Sequence, residues 1–283
     1  METERHISKT AFLANESKTR CVDISRDIYS NLWTSSETKQ LWNEFATASC
    51  KYDDIELSLR NRYFLERLEE FLTCHPVASP EQEPIMLNIA SGFSSYPLLV
   101  TKDCLFVEVD YPHVIDYKTS KLGQWQELGA VPNREVTYFK TDLCNNAELE
   151  RLKKNLEPLI SNRPSFVLME GISYYLRQEI LEQIFTFLSL VQQSGSVVAI
   201  EYWMEDLQTY PAFENLEHFF AERFQYPKGS YTFLDRSFFR NLTGYKVKEF
   251  SSTTEEEPKY SASPKLGDFE GVLPGHFCVL ERI

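Results

Sequence analysis

A turn of small residues separates two apolar segments, and an acid follows it about 20 residues later. Ala90-Ser91-Gly92 comes directly after the apolar run at 85–89, and Asp110 ends the next apolar run. The β-branched bias of these runs predicts strands covered on both faces. Small residues let the backbone pass close to a ligand, and an acid at the second strand can bind a ribose diol. On this segment alone, a nucleotide-type cofactor site and an ordinary α/β turn are equally supported.

Four predicted strands end in, or lead to, an acid. These acids are Asp110, Asp142, Glu170 and Glu201. Parallel strands place their carboxyl ends at one edge of a sheet, where ligands bind. A cluster of carboxylates suits a ligand with positive charge and many donors, such as S-adenosylmethionine, and suits pyrophosphate poorly. The alternative is that some of these acids cap helices, and Asp142 is the best candidate for that role.

Two arginines lie on a long predicted helix before the first strand. Arg60 and Arg62 could grip a ligand carboxylate with a planar pair of donors. They could equally form surface pairs with acids one helical turn away, namely Glu56, Glu66 and Glu69. After the fourth strand, Tyr174 and Tyr175 could pack as ordinary aromatics or orient a substrate.

The elements that must position these residues alternate along the chain. Strands are predicted at 85–90, 104–109, 135–139, 165–170, 196–202, 245–250 and 276–282. Helices are predicted between 16 and 75 (27–33, 39–45 and 55–72) and at 95–101, 112–123, 146–156, 177–192, 213–224 and 233–241. Alternation predicts an α/β fold with a mostly parallel sheet. The final two strands, joined by a polar loop, predict an antiparallel last strand and a seven-stranded, Rossmann-like class I methyltransferase arrangement.

Composition narrows the function classes. The chain has 283 residues with a net charge of −13, which disfavours nucleic acid and anionic membrane surfaces as partners. Six scattered cysteines without a Cys-x-x-Cys pair predict buried thiols, and no apolar run reaches membrane-spanning length. We therefore expect a soluble, cytoplasmic protein with disorder confined to the first ~15 residues and the connector at 251–275. Residues 1–83 are predicted to form a helical lid and 84–283 the core.

Motifs of other enzyme classes are missing from the sequence. It contains no Gly-x-x-x-x-Gly-Lys-Ser/Thr loop, no Gly-x-Ser-x-Gly elbow and no His-Glu-x-x-His, and its five histidines lack metal-ligand spacing. Phosphoryl transfer, triad hydrolysis and zinc chemistry are therefore poorly supported, and no metal site is predicted.

From about Thr19 to Val191 the chain resembles the leucine carboxyl methyltransferase family. Four segments carry the resemblance: Ser-Leu-Arg-Asn-Arg-Tyr-Phe-Leu from 58, Asn-Ile-Ala-Ser-Gly-Phe-Ser-Ser from 88, Glu-Val-Asp-Tyr-Pro-His-Val-Ile-Asp-Tyr-Lys from 108 and Glu-Gly-Ile-Ser-Tyr-Tyr-Leu from 170. The last two are the most specific. Three departures stand out. The first glycine of the turn is Ala90, which is tolerable if its φ is negative. Ser94-Ser95 replace Asp-Thr, and the basic residue of the first helices has no identified counterpart.

The resemblance implies S-adenosyl-L-methionine as cofactor and assigns roles residue by residue. Arg60 would hold the cofactor carboxylate, Asp110 its ribose and Glu170 its methionine portion. Asp142 and Leu143 would flank the adenine, and Tyr175 would face the substrate as the catalytic candidate. The turn residues Asn88, Ala90, Ser91 and Gly92 complete the predicted cofactor site.

The predicted activity is transfer of a methyl group to a carboxylate oxygen of a small molecule or of a peptide or protein C-terminus. A carboxylate is already ionised at neutral pH, so no base is needed. Three alternatives stay open: methylation of a hydroxyl, a nicotinamide-dependent oxidoreductase, and a degenerate protein that binds cofactor without catalysis. The chain is expected to be a monomer or dimer.

Overall fold

One seven-stranded sheet forms the centre of the molecule. The computed structural model describes residues 9–77, 79, 82–267 and 269–283. The sheet has the order β3-β2-β1-β4-β5-β7-β6. Its strands are β1 (Ile85–Ile89), β2 (Leu105–Asp110), β3 (Val136–Lys140), β4 (Ser165–Met169), β5 (Val197–Tyr202), β6 (Tyr245–Ser252) and β7 (His276–Arg282).

The strand directions match the prediction. β1 to β5 pair in parallel, and β7 inserts antiparallel between β5 and β6. The α/β class, the seven strands and the antiparallel last strand are therefore confirmed. The strand order reverses at β1, which lies between β2 and β4, so the carboxyl ends of these strands border the crevice where such sheets bind ligands.

Eleven α-helices surround the sheet within the described part of the chain. They are α1 (Thr10–Arg20), α2 (Val22–Ser25), α3 (Ser36–Ala48), α4 (Asp53–Cys74), α5 (Tyr96–Leu99), α6 (Pro112–Glu127), α7 (Asn146–Ile160), α8 (Gln178–Val191), α9 (Pro211–Phe224), α10 (Arg236–Arg240) and α11 (Thr253–Glu256). Short 3-10 turns lie at Ser30–Trp33, Ser173–Tyr175, Glu205–Thr209 and Glu257–Lys259.

Three predicted helical segments differ from the structure for local reasons. The segment predicted helical at 27–33 keeps only a 3-10 turn, because the Asp27 carboxylate accepts the Tyr29 N–H and competes with helical bonding. The helix predicted at 233–241 begins only at Arg236, since the Asp235 side chain caps it through the Phe238 N–H at 2.9 Å. At the N-terminus, α1 already begins at Thr10, inside the segment expected to be disordered, whereas residues 1–8 of that segment lie outside the described residues.

Helices cover both faces of the sheet. The side chains of Ile85, Leu87 and Ile89 pack in one cluster with α7, α8 and α10. Met86 points to the opposite face and packs in a second cluster with α4 and α5. This alternation is the period of two expected for a strand covered on both sides.

Helix α4 packs directly on the sheet although it belongs to the predicted extension 1–83. Tyr63, Phe64 and Leu68 are almost completely buried in the second cluster, and Phe277 of β7 packs between the two rings. The side chains of α4 therefore contribute to the core, and the helix holds a fixed position relative to the strand ends. The division of the chain at residue 83 remains a prediction.

The connector between β6 and β7 is more ordered than expected. Ser252 caps α11, and the buried Glu257 carboxylate accepts the N–H groups of Lys265 and Leu266 at 2.8 and 2.7 Å. Backbone groups of a polar loop can thus be satisfied internally by one buried acid, which composition alone does not predict. Asp268, within this connector, lies outside the described residues.

The structure bears on two expectations drawn from composition, the burial of the cysteines and the lack of a membrane-spanning segment. Cys50, Cys104 and Cys278 are buried, and burial raises the pKa of the Cys104 thiol to about 12. Cys74 and Cys144 are exposed, so the prediction of buried thiols was wrong for these two. No helix in the described part of the chain combines the length and apolarity that a membrane crossing requires.

The packing of α4 can be tested with two leucines. Leu68→Ala removes a fully buried side chain from the face of α4 that contacts the sheet. We expect the free energy of unfolding to fall by about 2–5 kcal/mol, as for other buried leucines. Leu190→Ala on α8 is the matched control, since its side chain is 80% exposed and its loss should change stability by less than about 0.5 kcal/mol. Equal effects in chemical denaturation would contradict the assignment of α4 to the core.

Candidate functional site

A cavity of about 350 Å³ lies at the carboxyl ends of β1, β2, β4 and β5. This volume falls within the range of small-molecule sites, about 300–1,000 Å³. Its walls come from α1, α4, the turn after β1, the segments that follow β2, β4 and β5, and α9. Asp110, Glu170 and Glu201 line it, so three of the four predicted acids at the strand ends share one cavity.

The turn after β1 keeps a glycine-like backbone without its first glycine. Ala90 has a φ of 58°, in the left-handed region, so the condition under which an alanine would be tolerable here, a negative φ, is not met. Gly92 has a φ of 49°, and a Cβ there would lie 3.4 Å from the Ala11 Cβ of α1. Asn88 at the end of β1 donates to the Ser94 hydroxyl at 2.9 Å and fixes the turn. With Ser91, these residues form the floor of the cavity.

Asp110 is held by the backbone at the end of β2. Its two oxygens accept the N–H groups of Gly92 and Tyr111, each at 2.7 Å. Burial raises the pKa of this carboxyl, and the two N–H groups oppose that rise by favouring the charged form. The side chain is thereby oriented toward the cavity.

A buried ion pair explains two other residues of the same motif. Glu108 on β2 and Lys118 on α6 lie 2.7 Å apart and are almost fully buried. The pair joins the strand to the helix directly beneath Asp110. Glu108 and Lys118 therefore position Asp110 structurally and do not line the cavity described here.

Arg60 of α4 is the centre of a buried ionic cluster. Its Nε donates to Glu170 at 2.8 Å, and its Nη1 donates to Glu201 at 3.0 Å. Glu170 also accepts the Tyr96 hydroxyl at 2.6 Å, and Glu201 accepts the Gly171 N–H at 2.8 Å. Arg60 is only 8% exposed, so the alternative of a surface pair was wrong for this residue. We call this group the Arg60 cluster.

Arg62 follows the alternative interpretation. Its guanidinium pairs with Glu66, one helical turn along α4, and does not line the cavity. The two arginines are two residues apart and therefore point in different directions on the helix.

Aromatic side chains extend the cavity beyond the strand ends. Tyr174 stacks on Trp203 with ring centroids 3.8 Å apart, and Tyr175 contacts Tyr226 edge to face. All four line the cavity. Burial raises the pKa of Tyr175 well above its usual range, so its hydroxyl stays protonated at neutral pH and can donate a hydrogen bond.

Two predicted adenine residues lie outside the cavity lining. Neither Asp142 nor Leu143 is among the described residues that line it, whereas the neighbouring Cys144 is. The Asp142 carboxylate accepts the Cys144 N–H at 2.9 Å, and Leu143 is buried in the core. The helix that follows is capped by Asn145, so the capping role considered for Asp142 was wrong, while its predicted place beside the adenine stays a prediction.

Four further polar residues of the lining were missed from the sequence. Asp53 and Glu56 lie seven and four residues before Arg60, on the same face of α4, and Asn15 and Lys18 lie on α1. Lys18 is buried and pairs with Asp27 at 2.6 Å. It is a basic residue of the first helices, the kind for which no counterpart had been identified. Asp53, Glu56 and Arg60 follow one another at intervals of three and four residues, and this helical spacing was the signal that could have identified the two acids.

Comparison with solved structures identifies the class of fold. It aligns with a protein from Thermobifida fusca described as a candidate methyltransferase, with a TM-score of 0.60, 15% identity, and 88% and 89% of the two chains covered. It aligns with a DUF574 family protein from Streptomyces avermitilis with a TM-score of 0.58, 15% identity and 97% of each chain covered. The fold is that of the class I methyltransferases.

The amino-acid sequence also identifies a particular family within this class of fold. The model of the leucine carboxyl methyltransferase family matches residues 18–189, and the chain belongs to this family. A Mycobacterium sp. (strain JLS) protein named as a candidate S-adenosyl-L-methionine-dependent methyltransferase is 29% identical over 149 residues, which are 52% of this chain and 45% of that protein. A similarly named Mycobacterium ulcerans protein is 25% identical, with 52% and 44% covered. The matches thus span less than half the length of these curated relatives.

The backbone of the turn predicts an unusual substitution effect. Ala90→Gly should stabilise the protein by about 0.5–1 kcal/mol, because a left-handed φ costs a residue with a Cβ roughly 1–2 kcal/mol and the greater entropy of glycine offsets part of the gain. Ala147→Gly in the first turn of α7 is the control and should destabilise by up to about 1 kcal/mol. Opposite signs in chemical denaturation are expected, and destabilisation by both would contradict the assigned backbone at residue 90.

The buried acid Asp53 predicts a pH-dependent effect on stability. Burial raises the pKa of Asp53 from 3.8 to about 6, so the folded state binds this proton more tightly than the unfolded state. The stability contributed by the protonated form is complete below about pH 4 and is lost as the pH rises to about 6. Asp53→Asn, which cannot ionise, should therefore gain about 1–3 kcal/mol relative to the unaltered protein between pH 4 and pH 7.

The control for this experiment is Asp116→Asn, whose exposed carboxylate pairs with Lys140 on the surface. Its stability difference from the unaltered protein should stay nearly constant over the same pH range. Urea denaturation at several pH values measures both differences. If the stability difference between Asp53→Asn and the unaltered protein did not change with pH, the raised pKa of Asp53 would be contradicted.

Proposed function

We propose that this protein is an S-adenosyl-L-methionine-dependent O-methyltransferase. One observation carries the proposal: in a member of this family, Asp110, Glu170 and Arg60 line a single cavity at the strand ends. This cofactor carries a ribose, an ammonium group and a carboxylate. The carboxylates of Asp110 and Glu170 are complementary to the ribose and the ammonium, and the guanidinium of Arg60 is complementary to the carboxylate.

The chemistry of the Arg60 cluster fits such a ligand. One guanidinium and two carboxylates give the cluster a formal excess of one negative charge in a buried place, and a cationic ligand would compensate it. The Nη2 group of Arg60 makes no hydrogen bond to the described residues and remains a donor for the ligand's carboxylate. The left-handed φ of 49° at Gly92 disfavours a residue with a side chain, and a glycine there lets the ligand approach the backbone closely.

The residues of the chain would act mainly by positioning. When bound, the cofactor would supply an electrophilic methyl group for transfer to an oxygen of the acceptor. Asp110 and Arg60 would fix the two ends of the cofactor, so that the methyl group points along the line of attack. Tyr175 would orient the acceptor through its protonated hydroxyl. The roles of Asn88, Ala90, Ser91 and Gly92 as the floor of the cofactor site are part of this proposal.

The acceptor is the finer part of the proposal. A carboxylate, favoured from the sequence, loses no proton on methylation, whereas a hydroxyl must give its proton to a base. Asp53 is a candidate base, since burial raises the pKa of its carboxyl to about 6, near neutral pH. A nicotinamide-dependent oxidoreductase receives less support, because several acids at the strand ends would repel a pyrophosphate.

The cofactor assignment can be tested at Asp110. Asp110→Ala should weaken binding of S-adenosylmethionine and S-adenosylhomocysteine by about 1–3 kcal/mol, roughly 5- to 150-fold, through lost hydrogen bonds to a charged group. Isothermal titration calorimetry measures the affinities, and circular dichroism checks that the variant is folded.

Asp116→Ala is the matched control, because its carboxylate is exposed and outside the cavity; it should leave both affinities unchanged. Binding of NAD without either sulfur ligand would reject the proposed cofactor. Binding of the cofactor without methyl release to any acid or alcohol acceptor would favour the non-catalytic alternative.

A further inference from the structure

The cavity has a second half that the proposed cofactor residues do not form. It lies between α1, the end of α3, the first turns of α4, and α9. Its apolar walls are Leu13, Phe45, Trp203, Leu216 and Phe220. We call this part the aromatic half. It adjoins the Arg60 cluster, because Tyr174 stacks on Trp203 and its hydroxyl lies close to the backbone of Gly171.

The polar groups of the aromatic half are acids. Asp53 and Glu56 are 7% and 4% exposed and lie on the cavity-facing side of α4. One oxygen of Asp53 accepts the Ser17 hydroxyl, and one oxygen of Glu56 accepts the Leu273 N–H at 2.7 Å. Both acids are thus fixed in place by their surroundings.

The described lining as a whole carries more acid than base. It contains five carboxyl groups, and its two basic side chains, Lys18 and Arg60, are each within 3.0 Å of an acid. With the Nη2 donor of Arg60 assigned to the cofactor carboxylate, the carboxylate of an acceptor would meet buried acids and the already paired Lys18, and would lose its hydration without gaining an unpaired cationic partner.

The lining also has unused hydrogen-bond acceptors. The side-chain oxygen of Asn15, a residue only 2% exposed, has no hydrogen-bond partner among the described residues, while its Nδ2 donates to the Ala11 carbonyl at 2.8 Å. The buried Thr253 hydroxyl likewise has no partner there. An amide oxygen can only accept, so a ligand that satisfies it must donate.

We infer that the aromatic half is the acceptor subsite, and that it takes an uncharged, largely apolar molecule that presents a hydroxyl as hydrogen-bond donor. This inference rests on the proposed function and narrows it: the acceptor is an alcohol or phenol and not the carboxylate favoured from the sequence. The aromatic walls bind the apolar body, and the buried acids and the Asn15 oxygen accept from the hydroxyl.

The test compares three probes that share one apolar body. At about pH 7.5, 2-naphthol is uncharged, 2-naphthoate is anionic and 2-naphthylmethylamine is cationic. Calorimetry measures their affinities for the protein saturated with S-adenosylhomocysteine, after cofactor affinity has been measured alone. Failure of the cofactor to bind would refute the proposed function separately; the probes would then be titrated into the protein alone.

We expect 2-naphthol to bind at least about tenfold more tightly than 2-naphthoate. Equal or tighter binding of the anion would overturn the inference, as would a cation that binds more than about tenfold better than the phenol. Absence of binding by all three would overturn it as well. This comparison uses the unaltered protein and requires no variant to fold.

A variant links the preference to one residue. Asp53→Asn should reduce the discrimination against 2-naphthoate at least about threefold, because it removes a buried negative charge without changing the shape of the side chain. Asp116→Asn, which lies outside the cavity, should leave the discrimination unchanged. Discrimination that is unchanged in a folded Asp53→Asn protein would show that this acid does not face the acceptor.

Discussion

The Arg60 cluster is the interaction on which the arrangement of the cavity depends. A single guanidinium on α4 joins carboxylates at the ends of β4 and β5, and those carboxylates in turn fix the backbone of Gly171 and the hydroxyl of Tyr96. Removing one member would leave buried charges without partners, which is far more costly than losing a surface pair. Because α4 also packs on the sheet, its position is set twice, once by apolar contacts and once by charge.

This double constraint gives the cavity a rigid frame. The backbone holds Asp110 through two N–H groups, and the Glu108–Lys118 pair ties the same strand to α6. The cofactor half of the cavity is thus built from strand ends and buried ion pairs. The aromatic half is built from helices and loops, whose side chains set the choice of ligand while the strand ends stay fixed.

Much of this could be predicted from the sequence, and the reason is local. Apolar runs and acids at strand ends depend on the period of a strand and on parallel topology, so the sheet, Asp110 and Glu170 could be predicted from residues close in the chain. The capping role considered for Asp142 was wrong because its carboxylate accepts the Cys144 N–H in the turn after β3, and Asn145 caps the helix instead. The φ of Ala90 is set by the backbone of the turn in which it lies, which no propensity scale contains. Lys18 and Asp53 enter the lining only through packing between distant helices.

The difference between residues set by local sequence and residues set by packing of distant helices also matters for the choice of acceptor. Motifs near the strand ends are shared by the family and imply a common cofactor, but they contain no information about the walls supplied by α1, α3 and α9. The aromatic half combines these walls with the buried acids Asp53 and Glu56 of α4 and the unpartnered amide oxygen of Asn15 on α1, and the basic residues of the lining are already paired. A family named for a carboxyl acceptor can therefore include a chain whose cavity is proposed to disfavour an anion, because the groups proposed to bind the cofactor lie mainly at the strand ends, whereas those proposed to choose the acceptor lie mainly on helices.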